Sequence, residues 1–597
     1  MSTTRRIGIG ARGEIAFGEE TEVRGTYTFP AGGGLDTGSV TYTANFVGAD
    51  GNLINVTHTN SAGPAGVTVT VAGNAINVIF LASTDTAALI CTAVNADPKA
   101  RKLVVATEAA AGPQIAATIQ FLVGGRAYGD IIVPTKAIDF VSETLNNEIG
   151  SLVSNAITPN RGIRKRVRGN FQIGGDIAFE QNTEGYDVIY KHALGTNCIT
   201  IPAADGGIRA QLSDGEISTA VTIRCRSIPT SFPATGDFVV VTKAAATGLL
   251  TAVIDEYTAV DYDAATFTVG APGSGTAYAK GDWLFLHDTP ALDTVFTHYL
   301  PASDTLPVGI SIEMGRDIAF FYYTGMRVNT LEETFNSGDM CTGTFSYLGR
   351  SEISGGDLTT AVVAGAPTIA VSNSDMSEFN AAGGTIAIGS ENDITYTGIT
   401  LLTLTGIPAA GLAGSIFYNH EAGEPVAVQS TLAATTLVPP TTDPLSSFQA
   451  ALYVEGVAQE AQNVSYTVNN NLFADKFQIG DRFRVAAPEQ RREVTGTFTV
   501  EFDNMILYRK YINGTSAMLE IRCVDDSIEG EIGTTDVYRQ KHIIFQKVEF
   551  TGETPKIGGP DMILENAPFQ AFEDTDYDKP EILIILVNSV NNAFVAS

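Results

Sequence analysis

VTGTFTVEF, residues 494–502, decides how the rest of the chain reads. Val494, Gly496, Phe498, Val500 and Phe502 fall on one side and Thr495, Thr497, Thr499 and Glu501 on the other, the two-residue period of a half-buried strand. We expect this strand at the core edge of a sheet.

Upstream of it lies VSYTVNNNL (464–472), and far earlier VSETLNNEI (141–149), which matches it at five of nine positions. The earlier segment is also followed by an alternating run, VRGNF (167–171). It continues through Ile173, Ile177 and Phe179, with Arg168, Gln172, Asp176 and Glu180 opposite. Each strand is trailed by a short helical pattern. In the first, Asn182 or Thr183 can cap, Tyr186, Ile189, Tyr190 and Leu194 share a face, and Gly195 stops it. In the second, Asp503 or Asn504 can cap, Leu507, Tyr508 and Tyr511 form the face, and Gly514 closes. Three anchors in one order imply a duplicated β domain carrying one short helix.

The 597 residues suffice for several cores at about 100–200 residues per domain. Short Thr, Val, Ile and Phe runs between Gly, Asn, Asp and Pro, without long amphipathic helical patterns, make the chain mainly β. A net charge of −30 argues against gripping nucleic acid, where affinity comes from cations, but suits letting it pass without sticking. Cys91, Cys198, Cys225, Cys341 and Cys523 show no metal-ligand spacing and read as five buried thiols of a reducing cytoplasm. No signal-peptide core and no run of the ~18–20 apolar residues of a membrane helix is apparent.

Along the chain, residues 1–27, 126–231 and 291–358 form the first copy and 431–597 the second, opening with a Thr- and Pro-rich linker at 431–444. Between them lie three expected β-rich inserts, at 28–125, 232–290 and 359–430. The first reads as a βαβ-like module. Its strands meet at Gly73-Asn74, and its helix runs from Ser83-Thr84-Asp85 through Ala87, Leu89, Ile90 and Val94. Loops accept such additions at little entropic cost.

Arg161, Arg164, Lys165, Arg166 and Arg168 make the one dense basic cluster, and Arg491 and Arg492 occupy the matching place before the second strand. Repeated basic loops in an acidic chain are best read as subunit-to-subunit ion pairing, ahead of nucleic-acid contact or plain solvation. Asp525, Asp526, Glu529 and Glu531, and Asp574, Asp576 and Asp578, read as solvated loops; the latter lack the glycine and distal glutamate of a calcium loop. GxSxG, HExxH and phosphate-loop signatures are missing, and His287 near Trp283 reads as structural, so neither catalysis nor a cofactor is expected.

The assembled motifs resemble the tail tube proteins of long, non-contractile-tailed, siphovirus-like bacteriophages. They are Tyr128-Gly129-Asp130, 161–171, 174–180, 191–195, 323–328 and 492–504. The resemblance implies a mainly β fold of two tandem tail-tube β-sandwich, barrel-forming domains, each with a short helix, plus the three inserted modules. It implies rings stacked around a tape measure protein between tail terminator and distal tail proteins, with double-stranded DNA passing through unbound and no membrane. The chain would be made in the host cytoplasm and end in the virion tail. Sixfold rings built from tandem copies imply homotrimers that are pseudo-hexameric, with inserts outside and Glu180 and Glu501 facing the lumen. A secreted or surface β-adhesin of modular build, or a capsid or baseplate component, are the competing expectations.

Overall fold

A computed structural model describes residues 7–13, 24–29, 39–47, 54–60, 66–72, 75–81, 84–112, 117–121, 136–153, 166–214, 222–243, 249–269, 278–287, 295–316, 319–353, 355–372, 379, 383–389, 391–429, 442–479, 482–502, 504–532, 535–552 and 563–590. Strands dominate these residues, with four short α-helices. Those that build the candidate site are numbered in chain order. They are β1 (Asn146–Val153), β2 (Arg166–Glu180), α1 (Asp187–Leu194), β3 (Ala319–Asn336), β4 (Thr342–Gly349), β5 (Ala461–Asn469), β6 (Glu493–Glu501), α2 (Ile506–Asn513), β7 (Ala517–Ile532), β8 (Thr535–Phe550) and β9 (Leu564–Phe572).

Eight of these strands form one continuous antiparallel sheet in the order β1-β2-β4-β3-β5-β6-β9-β8. The strand Ile7–Gly13 joins through Ile310–Arg316, itself paired with β3. In all, nineteen strands link into a closed barrel among the described residues. β6 is therefore not at an edge: it is paired on both flanks, Phe498 facing Val464 on one side and Ala567 on the other. Its alternation holds, with Val494, Phe498 and Val500 buried and Glu493 and Glu501 exposed.

The order β1-β2-β4-β3 recurs as β5-β6-β9-β8, and the register tightens the repeat. Ser142 pairs with Ala178 and Asn146 with Gly174, while Ser465 pairs with Thr497 and Asn469 with Glu493. The partners differ by 319 positions at both points (497 − 178 and 493 − 174). The same offset carries Asp187 onto Ile506 and Gly195 onto Gly514, the starts and stops of α1 and α2. The sequence comparison set Val167 against Val494. Hydrogen bonding sets Gly175 there instead and matches Phe179 with Phe498, because the first hairpin runs on beyond the core before its matching part begins.

Both helices start later than their expected caps. Asn182 Oδ1 accepts the Glu184 N–H at 3.2 Å, so α1 opens behind Tyr186; Asn504 Oδ1 accepts from Ile506 at 2.9 Å. Gly514 closes α2 at φ 61°, the left-handed conformation that suits glycine. Tyr186, Ile189, Tyr190 and Leu194 are buried, but so are Asp187, Val188, His192 and Ala193, so α1 is enclosed nearly all round. Phe179 stacks on Phe345 with ring centroids 4.6 Å apart, and Tyr186 and Tyr190 pack around them. On α2 only Leu507 is buried.

Five further sheets, one of six strands, two of four and two of three, lie outside this network among the described residues. Strands between Arg24 and Phe121 make two sheets around helix Ala87–Ala96. The expected βαβ unit is corrected: the strands flanking that helix, Ala75–Phe80 and Val104–Ala110, belong to different sheets. Thr86 rather than an earlier residue caps the helix, and Leu89 points to solvent at 52% exposure. A six-stranded sheet spans Ala204–Gln211 to Trp283–His287, so two of its strands precede residue 232. Two small sheets occupy Gly356–Asp357 to Pro425–Gln429. All five cysteines are free thiols; four are buried, but Cys198 is only half-buried.

Candidate functional site

Alternation leaves one side of the eight-stranded sheet facing away from the core, and its residues line up in rows across the strands. One row reads Asp176, Ser346, Thr330, Asn469, Glu493. The next reads Thr344, Glu332, Thr467, Thr495, Gln570, and a third Glu180, Thr342, Thr334, Ser465, Thr497. Thr497 Oγ1 donates to Asn566 Oδ1 at 2.7 Å, one of the side-chain bonds that fix this surface. From Asp176 on β2 through β4, β3 and β5 to β6 the outward positions are Thr, Ser, Asn and small residues with five carboxylates. In the three rows above they include no Lys or Arg; the row before them, Gly174, Leu348 and Arg327, ends that stretch with an apolar side chain and a buried arginine. Glu180 is half-buried and Glu501 exposed, both on this face. They are not counterparts, however: the 319 offset sets Thr499 against Glu180. Such a face can hydrate and repel phosphate within the ~8–10 Å reach of charge at physiological salt.

The basic candidates divide. Arg161, Arg164 and Lys165 lie outside the described residues. Arg166 and Arg168 are exposed on the projecting start of β2, Arg166 donating to Ser151 Oγ at 2.8 Å. Arg491 is exposed too. Arg492 is turned inward, where it donates to the Ser303 carbonyl and sits 3.5 Å from Glu581, so it is engaged within its own chain. The acidic loops are also less free than expected. Asp525 and Glu529 both pair with Arg539, and Asp574 is buried, its backbone bonded to Lys579. His287 is buried, and Asp288 lies outside the described residues.

Sequence reading missed the charged centre of the fold. Lys541 on β8 and Glu333 on β3 are both fully buried. The Lys541 Nζ lies 2.6 and 2.7 Å from the two carboxylate oxygens. Tyr190 of α1 and Tyr466 of β5 donate to the same carboxylate at 2.5 and 2.6 Å, and Nζ also donates to Gln181 Oε1 at 2.9 Å. Burial first, then Glu333, pushes both phenols well above their usual range, so they stay protonated donors.

A second buried cluster ties the six-stranded sheet to β7 and β8. Arg209 contacts Glu520, which also accepts from Arg522 at 2.8 Å and lies 3.3 Å from His542. Burial, then Arg209 and Arg522, holds His542 well below its ordinary value. Burial raises nearby Asp205 from 3.8 to about 6. A raised carboxyl stabilises the fold fully below its unfolded value and loses that contribution as pH rises through about 6. Asp205→Asn should therefore remove, on the order of 1 kcal/mol, the part of the pH 5 to 8 stability loss due to this residue. Urea midpoints of the two proteins across that interval check it: the gap in favour of the variant should widen with pH.

The connection between β5 and β6 crosses onto the first half of the sheet. Phe483 stacks on Phe171 with centroids 4.9 Å apart, and the Phe171 N–H donates to the Arg482 carbonyl at 3.0 Å. Arg484 donates to the carbonyls of Ile173 (3.3 Å) and Gly349. Arg327 donates to Ala487 and, at 2.9 Å, to Glu489.

The site is thus a polar, acidic outward face on a closed β network held by buried ion pairs. The family model described as "Phage tail tube protein" matches residues 99–571, and the chain belongs to that family. Its members are structural rather than enzymatic, assemble into a tube and reside in the virion tail. No curated protein matches the chain. Among the described residues no helix is long and apolar enough to cross a membrane.

Proposed function

We propose that this chain builds the tail tube of a siphovirus-like phage as stacked rings of three protomers, each ring pseudo-hexameric. The observation that carries this is the β3–β5 junction. Residues 330–336 pair with 469–463 in unbroken register, joining two four-stranded sets of identical order. A chain that already holds two adjacent staves needs three copies to close what a single-stave protein closes with six. β1 is paired only with β2 among the described residues, which leaves an edge for the next protomer. The two sets are tandem tail-tube domains. The sheets at 24–121, 204–287 and 356–429 are inserted modules on the tube's exterior.

The outward face of the eight-stranded sheet lines the lumen, with Glu180 and Glu501 among its carboxylates, so DNA slides past during ejection. A tape measure protein fills the bore before ejection, and terminator and distal tail proteins cap the ends. Electron cryomicroscopy of the assembled tube tests this. Three chains per ring with Thr495 and Thr497 on the bore are expected; six chains per ring, or those residues on the exterior, would overturn it.

A further inference from the structure

At the end of the second half of the sheet, a cavity of about 430 Å³ opens between the start of β6 and the end of β9. Gln490, Arg492, Phe572 and Glu573 line it, together with Asp304 and Glu493. The register identifies what this place is. The 319 offset carries Phe171 and Ile173 onto Gln490 and Arg492. On the neighbouring strand, Gly343 and Ala567 face Phe179 and Phe498, an offset of 224 (567 − 343) that carries Leu348 and Gly349 onto Phe572 and Glu573. In the first half this spot is occupied: Phe483 covers Phe171, and Arg484 is bonded to the carbonyls of Ile173 and Gly349. In the second half the same spot is the cavity.

The segment that fills the first spot connects β5 to β6, and its counterpart connects β1 to β2. Counted back from β6 by 319, Arg484 falls on Lys165; counted from β5 by 323 (465 − 142), it falls on Arg161. Both counterparts are basic, and Arg166 and Arg168, which follow them in the sequence, are exposed. The cavity carries the opposite sign on balance: the carboxylates of Asp304, Glu489, Glu493, Glu573 and Glu581 line it against two arginines, Arg491, which is exposed, and Arg492, which is engaged with Glu581. The hairpin also exposes Leu152 (64%) and Val153 (44%), apolar surface uncovered in one chain alone.

We infer that the cavity is the docking site for the basic β1–β2 hairpin of a second copy of this chain, seated as Phe483 and Arg484 are seated within one chain. This rests on the ring reading proposed above. Within the chain, the second half's connection reaches back over the half that precedes it. Repeating that step between protomers brings each hairpin onto the preceding protomer's cavity and keeps the ring closed.

Charge reversal tests it. Arg166→Glu with Arg168→Glu, and separately Glu493→Lys with Glu573→Lys, are each expected to cut the tube yield seen by negative-stain microscopy at least tenfold. Combining all four should restore half or more. Circular dichroism confirms folding of the unassembled chains. As a fold-independent readout, Arg168→Cys with Glu573→Cys should give oxidised species on gels at two and three chain masses. Reversals that assemble like the wild type, a fourfold variant no better than either pair, or cysteines that never link chains would overturn the docking while three-chain rings stood. A wild-type ring of six chains would instead remove the ring reading itself.

Discussion

Lys541→Met is expected to lower the unfolding free energy by about 3–5 kcal/mol, because it strands the Glu333 carboxylate, fully buried, without its cation. Glu333 would keep the Tyr190 and Tyr466 hydroxyls as donors, but neither carries the positive charge that offsets its desolvation. The double variant Glu333→Leu, Lys541→Met separates the cost of an orphaned charge from the worth of the pair. Removing both charges should recover more than half of the loss. The remainder is about 1 kcal/mol for each phenol left without its acceptor. Urea midpoints followed by near-ultraviolet circular dichroism give the comparison. A double variant as unstable as the single would mean that shape, not charge, sets the requirement at this site. The effect should be large because the pair draws on four elements at once: Glu333 on β3, Lys541 on β8, Tyr190 on α1 and Tyr466 on β5.

This centre was readable in part. Glu333 stands between Leu331 and Phe335 at inward positions of a two-residue period, and Lys541 precedes Ile543 and Phe545 at the same spacing. A charge on the buried side of an alternating strand announces a partner, although no spacing says which of 66 acidic or 36 basic residues it is. The strand pattern at 494–502, the helix stops at Gly195 and Gly514, and the twin segments were legible because each is local chemistry. Strand order was not, since the β3–β5 junction joins segments more than a hundred residues apart in sequence. The intrachain partners of Arg492 were not legible for a related reason. Two adjacent arginines look alike in a row of letters, while the fold turns one toward Glu581 and leaves the other in solvent.

Ser465→Pro is expected to abolish tube formation and to destabilise the chain by at least about 3 kcal/mol. Ser465 sits in the middle of β5, opposite Thr334 of β3 on one flank and Thr497 of β6 on the other. With both flanks paired, its N–H faces a partner strand whichever way it points. Proline deletes that bond and leaves a carbonyl unmet, and its ring has no open edge to turn toward. Its side chain belongs to the outward face, so Ser465→Thr, which keeps the N–H and suits a strand, should assemble as the wild type does. Electron microscopy of the two variants, beside limited proteolysis between the halves, reads the outcome. Tubes from the proline variant would mean that the two halves associate without the β3–β5 ladder. The row Glu180, Thr342, Thr334, Ser465, Thr497 could then not be one continuous surface. Loss of tubes in the proline variant alone would tie assembly to that ladder, because the threonine control changes only the side chain.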